Sequence, residues 1–253
     1  MKHPKITVAE VRASINYSIK MDISIRYFGR PLANLVTPFF HNRGWTANQM
    51  TIARMFYSLA GVAFLAIPMP LLWPIAGVGF YTSVVLDCVD GNLARMQKDV
   101  TYLGKFLDGI ADMISPLIGP FAASVGCWLY FDQPVLVVVG AAVSITSAVN
   151  QMLRSRLSFV REWMVGQTGD LTEDELAGAA PPRNWQKTAA AVMINGHFVA
   201  VAAVFVPQYG SLVFLALAIP LQLIPDAVWV GATLKESGAL LRRGRESRHS
   251  AKN

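Results

Sequence analysis

The chain has 253 residues, of which 53% are hydrophobic and only 15% are charged, and its mean hydropathy is +0.40. This composition excludes a typical soluble domain and a disordered chain, and it predicts a protein embedded in a membrane. The formal net charge of +6 does not indicate nucleic-acid binding, because Lys and Arg are distributed as in the loops of a membrane protein.

An N-terminal arm, residues 1–46, opens the chain. Its segment SIRYFGRPLANLVTPFF alternates Arg with aromatic and aliphatic residues, as in an amphipathic helix that lies in the headgroup layer. The arm carries several Lys and Arg and no early apolar stretch, so we expect no cleavable signal peptide.

Six stretches follow that are long and apolar enough to cross a bilayer, which requires about 20 residues each. The predicted spans are 47–67, 70–92, 104–130, 134–158, 187–207 and 210–234. A polar loop rich in Gly and Pro separates the fourth span from the fifth, with a short helix predicted near Thr172, and a basic tail occupies 235–253. We therefore predict an all-α, polytopic membrane protein with one membrane domain, 47–234. Cys88 and Cys127 lie inside predicted spans, so a disulfide framework is excluded.

Lys and Arg fall on one side of this arrangement. The turns IPMPL, FDQP and PQYG contain neither residue, whereas Lys98, Arg161, Arg183 and the tail LLRRGRESRHSAK lie at the other ends of the spans. By the positive-inside rule, the basic side and both termini are predicted to be cytoplasmic, which requires an even number of spans. We expect an integral protein of a bacterial or archaeal cell membrane.

An acidic motif joins the end of the second span to the start of the third. In LDCVDGNLARMQKDVTYLGKFLDGIADM the fixed letters read D-x2-D-G-x2-A-R-x8-G-x3-D-x3-D, from Asp87 to Asp112. A chance match at eight positions occurs about once in 10^9 windows at average residue usage. On helices, Asp87 and Asp90 share one face, and Asp108 and Asp112 share another. Two helices joined by a short basic link can therefore direct four carboxylates to one place.

Four neighbouring carboxylates do not all stay ionised without a cation. Oxygen ligands with no nearby Cys or His ligand set favour Mg²⁺ or Mn²⁺, and a cluster of this size is expected to hold two ions. The flanking segments YTSVVL and MISPLIGPF are strongly apolar, so a solvated acidic face is the weaker interpretation.

With these letters and this spacing, the chain resembles the CDP-alcohol phosphotransferase family, whose signature it matches at every position. The basic arm, the phrase WTANQMT at the start of the first span and the six spans are similar to that family as well, although Ala47 stands where many relatives have Pro. The resemblance implies a metal-dependent transferase of phospholipid or related biosynthesis. It would move a phosphate-linked group from a CDP-activated donor, either CDP-diacylglycerol or a CDP-linked headgroup, to an alcohol hydroxyl, release CMP and form no covalent enzyme intermediate.

The resemblance also implies roles for individual residues. Metal ligands are Asp87, Asp90 and Asp108, and Asp112 is the general base that also touches the second ion. The residues expected to contact the CDP part of the donor are Asp87, Asp90, Gly91, Ala94, Arg95, Gly104, Asn48 and Thr51. Arg95 offers a fork for pyrophosphate oxygens, and the small residues leave room for the nucleotide. For Asn48 and Thr51, capping of the first span is the alternative.

Several polar residues outside the motif are further candidates for binding or structural roles. Arg154 and Arg156 at the end of the fourth span, with Lys187 at the start of the fifth, are predicted to form an anion pocket for an acceptor that carries a phosphate or carboxylate. A positive-inside flank is the alternative. Asp226 and His197 lie within predicted spans, where a hydrogen bond between helices is expected rather than catalysis.

A homodimer is expected from the family resemblance and from small residues in the third span, which let helices approach closely. These residues are Gly119, Ala122, Ala123 and Gly126. No nucleic-acid partner is expected.

Three other functions are compatible with acidic residues in a membrane protein. An intramembrane prenyltransferase would carry its Asp motifs on two separated helices, without the G-x2-A-R letters. A divalent-cation transporter would place its acids near the middle of its spans. A catalytically inactive scaffold would be expected to lack at least one of the four acids.

Overall fold

The structure, a computed structural model, describes residues 4–15, 25–98, 101–168, 206, 208–231, 234–235 and 238, and these form helices and connecting turns. The arm contains α1, a π-helical turn at Ile25–Gly29, and α2. Five longer helices follow, the last of which has a π-helical segment at Ile219–Leu223. The helices are α1 (Val8–Ala13), α2 (Arg30–Asn42), α3 (Ala47–Ala66), α4 (Leu72–Gln97), α5 (Tyr102–Phe131), α6 (Val135–Thr168) and α7 (Gly210–Gly231).

Five helices have the length and apolar composition of membrane spans: α3, α4, α5, the segment Val135–Leu157 of α6, and α7. The prediction of an all-helical, polytopic membrane protein is thereby confirmed. The predicted span 187–207, the short helix near Thr172, Lys187 and His197 lie outside the described residues.

Helix α6 extends past the predicted end of its span at residue 158 and continues to Thr168. The expectation that a polar loop directly follows the fourth span is therefore wrong for residues 159–168. Apolar composition ends near the membrane boundary, but a helix ends only where its backbone is broken, and no Gly or Pro occurs between Leu157 and Gly166.

Capping residues fix the helix ends that surround the acidic motif. Thr46 begins α3 with a capping box: its Oγ1 accepts a bond from the Gln49 backbone N–H at 3.2 Å, and the Gln49 side chain accepts one from the Thr46 N–H at 3.0 Å. Lys98 ends α4 in the left-handed conformation, with φ 54°. Thr101 caps α5 by accepting a bond from the Gly104 N–H at 3.0 Å. The two motif helices therefore end and begin only a few residues apart, with Lys98 and Thr101 as their caps.

The spans form one bundle in which α3 packs against α4 and α5, α6 packs against α5, and α7 packs against α5 and α6. Its largest apolar cluster includes Leu65 of α3, Trp73 and Phe80 of α4, and Phe214 of α7. The rings of Phe80 and Phe214 stack with centroids 6.2 Å apart. The helices alternate in direction, so that the start of α3, the end of α4 and the start of α5 meet at one end of the bundle, called here the site end.

Small residues of α5 serve contacts within the chain. A Cβ atom added to Gly126 would overlap the backbone carbonyl of Leu65 in α3, and one added to Gly119 would lie 3.5 Å from the Phe214 ring. Ala122 and Ala123 are also buried. Close packing inside one chain therefore accounts for these small residues, and the homodimer stays a prediction that rests on the family resemblance.

Helix α2 presents an apolar face away from the bundle. Asn34, Thr37 and His41 are buried, whereas Leu35 and Phe39 have 62% and 54% of their surface exposed. Apolar residues outside and polar residues inside are the reverse of a soluble surface helix. This arrangement agrees with an amphipathic helix that lies against lipid.

The segment before α1 is held at the end of α2 by two hydrogen bonds between the Asn42 side chain and the Ile6 backbone. The amide of Asn42 accepts from the Ile6 N–H at 2.9 Å and donates to the Ile6 carbonyl at 3.2 Å. Thr7 caps α1, and its backbone N–H and hydroxyl both donate to Glu10, which lowers the pKa of that carboxyl.

Candidate active site

The four motif carboxylates converge at the site end. Oxygen atoms of Asp87 and Asp90 on α4 and of Asp108 on α5 all lie within 4.8 Å of one another. Asp112, one helical turn beyond Asp108, faces the same place and is the most exposed of the four, at 63%. Three carboxylates at this spacing supply the oxygen ligands that Mg²⁺ and Mn²⁺ prefer. The helical spacing of the motif therefore predicted this convergence correctly.

Arg54 of α3 occupies the centre of the cluster. Its side chain is 3% exposed and pairs with Asp87 and with Asp112, while Nη1 lies 3.0 Å from an oxygen of Asp108 and 3.8 Å from one of Asp90. The carboxylates thus already surround a positive charge in this structure, which is the electrostatic setting that a bound cation requires. The carboxylates fit a divalent metal in two respects. Their oxygen atoms are the donors that such an ion prefers, and their combined negative charge requires a cation.

The sequence analysis missed Arg54. A signal was present, since Arg54 is an ionisable residue inside an apolar stretch, and such residues are rare in spans unless they have a function. The residue also lies one turn after Thr51, which was selected.

The two residues selected at the start of α3 contact the motif. The Thr51 hydroxyl donates to Asp90 at 2.9 Å. A Cβ atom added to Gly104 would lie 2.7 Å from the Asn48 amide oxygen, so Gly104 permits a close approach of α3 and α5 there. The alternative that Asn48 or Thr51 caps α3 is wrong, because Thr46 is the cap.

Arg95 belongs to a buried polar cluster between α4 and α2. Asn92 is fully buried, and its amide oxygen accepts from Arg95 at 2.6 Å and from Arg30 at 2.9 Å. The Asn92 amide nitrogen donates to Asn34 at 3.2 Å and to Thr37 at 3.0 Å. Arg30 and Asn92 were not selected from the sequence, because their partners lie far away along the chain.

The remaining small motif residues leave space beside the acids. A Cβ atom added to Gly91 would have its nearest neighbour, Nη1 of Arg95, at 3.6 Å, an ordinary contact. Ala94 is half-buried on the same helix. Packing among the described residues does not require a glycine at position 91, which leaves room for a ligand there.

A cavity of about 680 Å³ opens beside the carboxylates. Asp87, Asp112 and Arg54 line it near the motif, and Asn150 and Arg154 line it on α6. A volume of this size is typical of sites that enclose a whole small molecule, about 300–1,000 Å³. Further lining residues are Ser58, Ser83, Ser115, Ser147, Gln151, Phe214, Gln222, Asp226 and Trp229.

The predicted anion pocket is brought together only in part. Arg154 lines the cavity, where its guanidinium lies 4.6 Å from the centre of the Trp229 ring. Arg156 is exposed and is not among the residues that line the cavity. Lys187 lies outside the described residues.

Asp226 makes the hydrogen bonds between helices that the sequence analysis expected. Its carboxylate accepts from the Ser147 hydroxyl and, at 2.5 Å, from the Asn150 amide, both on α6. Asp226 is 3% exposed. These bonds fix the end of α7 against α6 beside the cavity.

Comparisons with known proteins agree with this geometry. The sequence model of the CDP-alcohol phosphatidyltransferase family matches residues 45–224, which include α3, α4, α5, α6 and part of α7. A phosphatidylinositol phosphate synthase of Corynebacterium glutamicum is 31% identical over 106 residues, which cover 41% of this chain and 46% of that protein. The matched region therefore spans about half the length of that curated relative.

Proposed function

Because the chain belongs to the CDP-alcohol phosphatidyltransferase family, a family of phospholipid-biosynthesis enzymes, we propose that it transfers a phosphate-linked group from a CDP-activated donor to an alcohol and releases CMP. The observation that carries this proposal is the convergence of Asp87, Asp90 and Asp108 next to Asp112 at the edge of one cavity. The acids lie in the site-end halves of α4 and α5, and the family match argues against a cation transporter.

The polar groups of the cavity support an assignment of the two substrates. Apolar side chains form much of the lining, but amides, hydroxyls and the guanidinium of Arg154 lie among them, and these groups suit a polar, anionic acceptor. The lipid then belongs to the donor, and CDP-diacylglycerol is the donor we propose. The name of the matched relative, which describes the synthesis of a phosphatidylinositol phosphate, agrees with an acceptor that carries a phosphate.

Asp87, Asp90 and Asp108 are proposed to hold Mg²⁺ or Mn²⁺, two ions as the family resemblance implies, with Asp112 beside the second. When bound, the metal neutralises the donor's pyrophosphate and stabilises the leaving CMP. Asn48, Thr51, Gly91, Ala94, Arg95 and Gly104 surround the acids and are proposed to bind the CDP part of the donor. Arg30, which shares the Asn92 amide with Arg95, adds positive charge on the same side.

Asp112 is proposed as the general base. Arg54 binds its Oδ1, and among the described residues no hydrogen-bond donor reaches its Oδ2, which leaves that oxygen for the acceptor hydroxyl. The acceptor oxygen forms a bond to the β-phosphorus of the donor as the bond from that phosphorus to the CMP oxygen breaks. The hydroxyl proton passes to Oδ2 of Asp112, so no covalent enzyme intermediate is needed.

A direct assay tests the proposal. Purified protein in nanodiscs is incubated with labelled CDP-diacylglycerol, Mg²⁺ or Mn²⁺ and a panel of alcohols that includes myo-inositol 1-phosphate, sn-glycerol 3-phosphate and L-serine. We expect CMP and a new phospholipid in equal amounts, and neither product after metal removal with EDTA. Full CMP release without metal, or none with any alcohol, would refute the proposal.

Two further properties accompany this function. The active site is proposed to lie on the cytoplasmic side, since soluble acceptors are made there and the basic residues follow the positive-inside pattern. A homodimer is proposed from the family resemblance alone. Any dimer contact must use surfaces other than the buried small residues of α5, and native mass spectrometry from mild detergent tests it.

A further inference from the structure

The interfacial helix α2 is joined to the acidic motif by a buried polar contact that the proposed chemistry does not use. Asn92 of α4 lies two residues after Asp90 and three before Arg95, and its side chain is fully buried. Its partners on α2 are Thr37 and Asn34, which are 0% and 2% exposed. Buried polar groups in a membrane protein are costly unless they are paired, so the hydrogen bonds of Asn92 decide what it can do.

Thr37 determines which way the Asn92 amide points. The Thr37 hydroxyl donates its only proton to the Ala33 carbonyl of its own helix at 2.6 Å, so toward Asn92 it acts as an acceptor. The amide nitrogen of Asn92 therefore faces α2, where it donates to Thr37 at 3.0 Å and to the Asn34 amide oxygen at 3.2 Å. The amide oxygen of Asn92 is thereby turned away from these two side chains.

The Asn92 oxygen holds two guanidinium groups. Nη2 of Arg95 donates to it at 2.6 Å, and Nη1 of Arg30, at the start of α2, donates to it at 2.9 Å. The part of the chain that the structure describes contains no ion pair between either arginine and a carboxylate, since its ion pairs all belong to Arg54. Two positive charges that share one neutral acceptor repel each other, and a bound anion relieves that repulsion.

The Arg95 guanidinium lies beside the motif acids. A Cβ atom added to Gly91 would lie 3.6 Å from Nη1 and 3.9 Å from Nη2 of Arg95, so the guanidinium lies against Gly91, the residue directly after Asp90. Arg95 is exposed, and among the described residues its guanidinium makes one hydrogen bond, to Asn92. Its other N–H groups are left for a ligand that binds beside Gly91.

An exposed arginine at a helix end samples many rotamers, and fixing it when a ligand binds costs free energy. The bond to Asn92 fixes the Arg95 guanidinium before the ligand arrives, so less of this cost is incurred at binding. Arg30 keeps a second positive charge beside Arg95, which adds to the attraction for an anion. The bound anion nearest to Gly91 in the proposed reaction is the pyrophosphate of the donor.

We propose that Asn92 is a positioning residue for the donor: it holds the Arg95 guanidinium beside Gly91, where Arg95 contacts the pyrophosphate, and Thr37 of α2 orients Asn92. The interfacial helix α2 thereby belongs to the donor site. This inference rests on the proposed function. Without the Asn92 oxygen, Arg95 turns freely into solvent, so the donor binds less well although the four motif carboxylates stay in place.

The test separates positioning of Arg95 from general support of the fold. Calorimetry in the presence of Mn²⁺ measures the Kd of CDP for the parent protein in nanodiscs, for Asn92→Leu, for Arg95→Ala and for the double variant. Leu has nearly the size of Asn but accepts no hydrogen bond. Thr37→Val and Thr37→Ser test the contact from α2. Thr82→Val on α4 is the matched control, because the Thr82 hydroxyl donates to the Val78 carbonyl of its own helix at 2.9 Å.

We expect Asn92→Leu to raise the Kd of CDP about 2–10-fold, with a matching rise in the CDP-diacylglycerol KM and an unchanged acceptor KM. In the Arg95→Ala background the same substitution should not raise the Kd further, because the group that Asn92 positions is already absent. A purely structural role would weaken CDP binding by the same factor in both backgrounds. Thr37→Val should give a smaller rise, Thr37→Ser should restore the parent Kd because it keeps the hydroxyl, and Thr82→Val should give none.

Each adverse outcome has a distinct meaning. An unchanged Kd in Asn92→Leu or in Arg95→Ala, or an equal effect of Asn92→Leu in both backgrounds, would overturn the inference and leave the transfer reaction standing. Absence of CMP release by the parent protein with every acceptor would instead refute the proposed function. If Asn92→Leu fails to fold, an unchanged Kd in Thr37→Val overturns the inference.

Discussion

At the scale of single residues, Arg54 offsets part of the negative charge of four carboxylates before any metal binds. Removal of this buried charge leaves its partners without compensation, at a usual cost of about 3–5 kcal/mol. We expect Arg54→Gln, measured in EDTA, to lower the melting temperature by about 6–20 °C. Added Mn²⁺ should restore more of this loss than it adds to the parent protein, because the metal replaces the missing cation. A melting temperature that is equally metal-sensitive in both proteins would contradict this role.

Asp112 and the metal-holding acids should differ in what their neutralisation impairs. Asp112→Asn keeps the shape of the side chain but removes its basicity, so we expect kcat to fall by about 10²–10⁴-fold with little change in the affinity for CDP. Asp87→Asn and Asp108→Asn should weaken the binding of Mn²⁺ and CDP. Calorimetry of CDP binding and steady-state CMP release separate the two effects. Equal losses of nucleotide affinity in all three variants would argue against Asp112 as the base.

Arg154 and Arg156 lie on the same helix, so the effects of replacing each by Ala on the acceptor KM can be compared directly. Arg154 lines the cavity and Arg156 is exposed outside it. Loss of a charge-assisted hydrogen bond costs about 1.5–3 kcal/mol, so Arg154→Ala should raise the acceptor KM about 10–100-fold and leave the CDP-diacylglycerol KM unchanged. Arg156→Ala should leave both constants near those of the parent protein. If acceptor kinetics in Arg154→Ala match the parent, the residue is a topological flank and the anionic-acceptor proposal fails.

At the scale of helices, the close contact of α5 with α3 depends on Gly126. A Cβ atom there would overlap the Leu65 carbonyl, and a backbone atom cannot move aside cheaply. We expect Gly126→Ala to lower the melting temperature and the yield of folded protein. Gly109→Ala is the control on the same helix, since its Cβ atom would meet no atom within 4 Å, and it should be neutral or slightly stabilising. Similar melting temperatures for the two variants would show that α3 and α5 do not approach so closely.

Local periodicity explains which parts of the site could be predicted from the sequence. The four acids follow helical spacing on two adjacent helices, so the sequence alone places Asp87 next to Asp90 and Asp108 next to Asp112. Arg54 instead meets its partners across 33 to 58 positions, and Asn150 meets Asp226 across 76. No local sequence pattern indicates pairings between residues so far apart along the chain. They depend on how the helices pack, which hydropathy does not specify.

The same distinction applies to whole helices. Apolar length was sufficient to place α3, α4, α5 and α7 to within a few residues, because a bilayer imposes that length. It failed at the end of α6, where the helix continues beyond the apolar stretch. It also misattributed the small residues of α5 to a dimer, since a stripe of Gly and Ala predicts close approach but not which helix approaches.

At the scale of the molecule, the described helices constrain how the chain crosses the membrane. The end of α6 lies at the site end of the bundle, near Asp112 and Asp226. Helix α7 begins at the opposite end, where Tyr209 stacks on Phe131 with ring centroids 6.1 Å apart. The predicted span over 187–207 lies outside the described residues, so a total of six spans stays a prediction.

Side-specific labelling tests this topology and its orientation. The turn between α5 and α6 carries no Lys or Arg, whereas Arg43 and Lys98 lie in connections at the site end, so the positive-inside rule places the site end in the cytoplasm. The native cysteines, Cys88 and Cys127, are buried and should label weakly. In intact cells, a membrane-impermeant maleimide should therefore react with Gln133→Cys and should react with Arg43→Cys only after the membrane is opened. The reverse pattern would place the carboxylates and the cavity outside the cell and refute the proposed cytoplasmic active site.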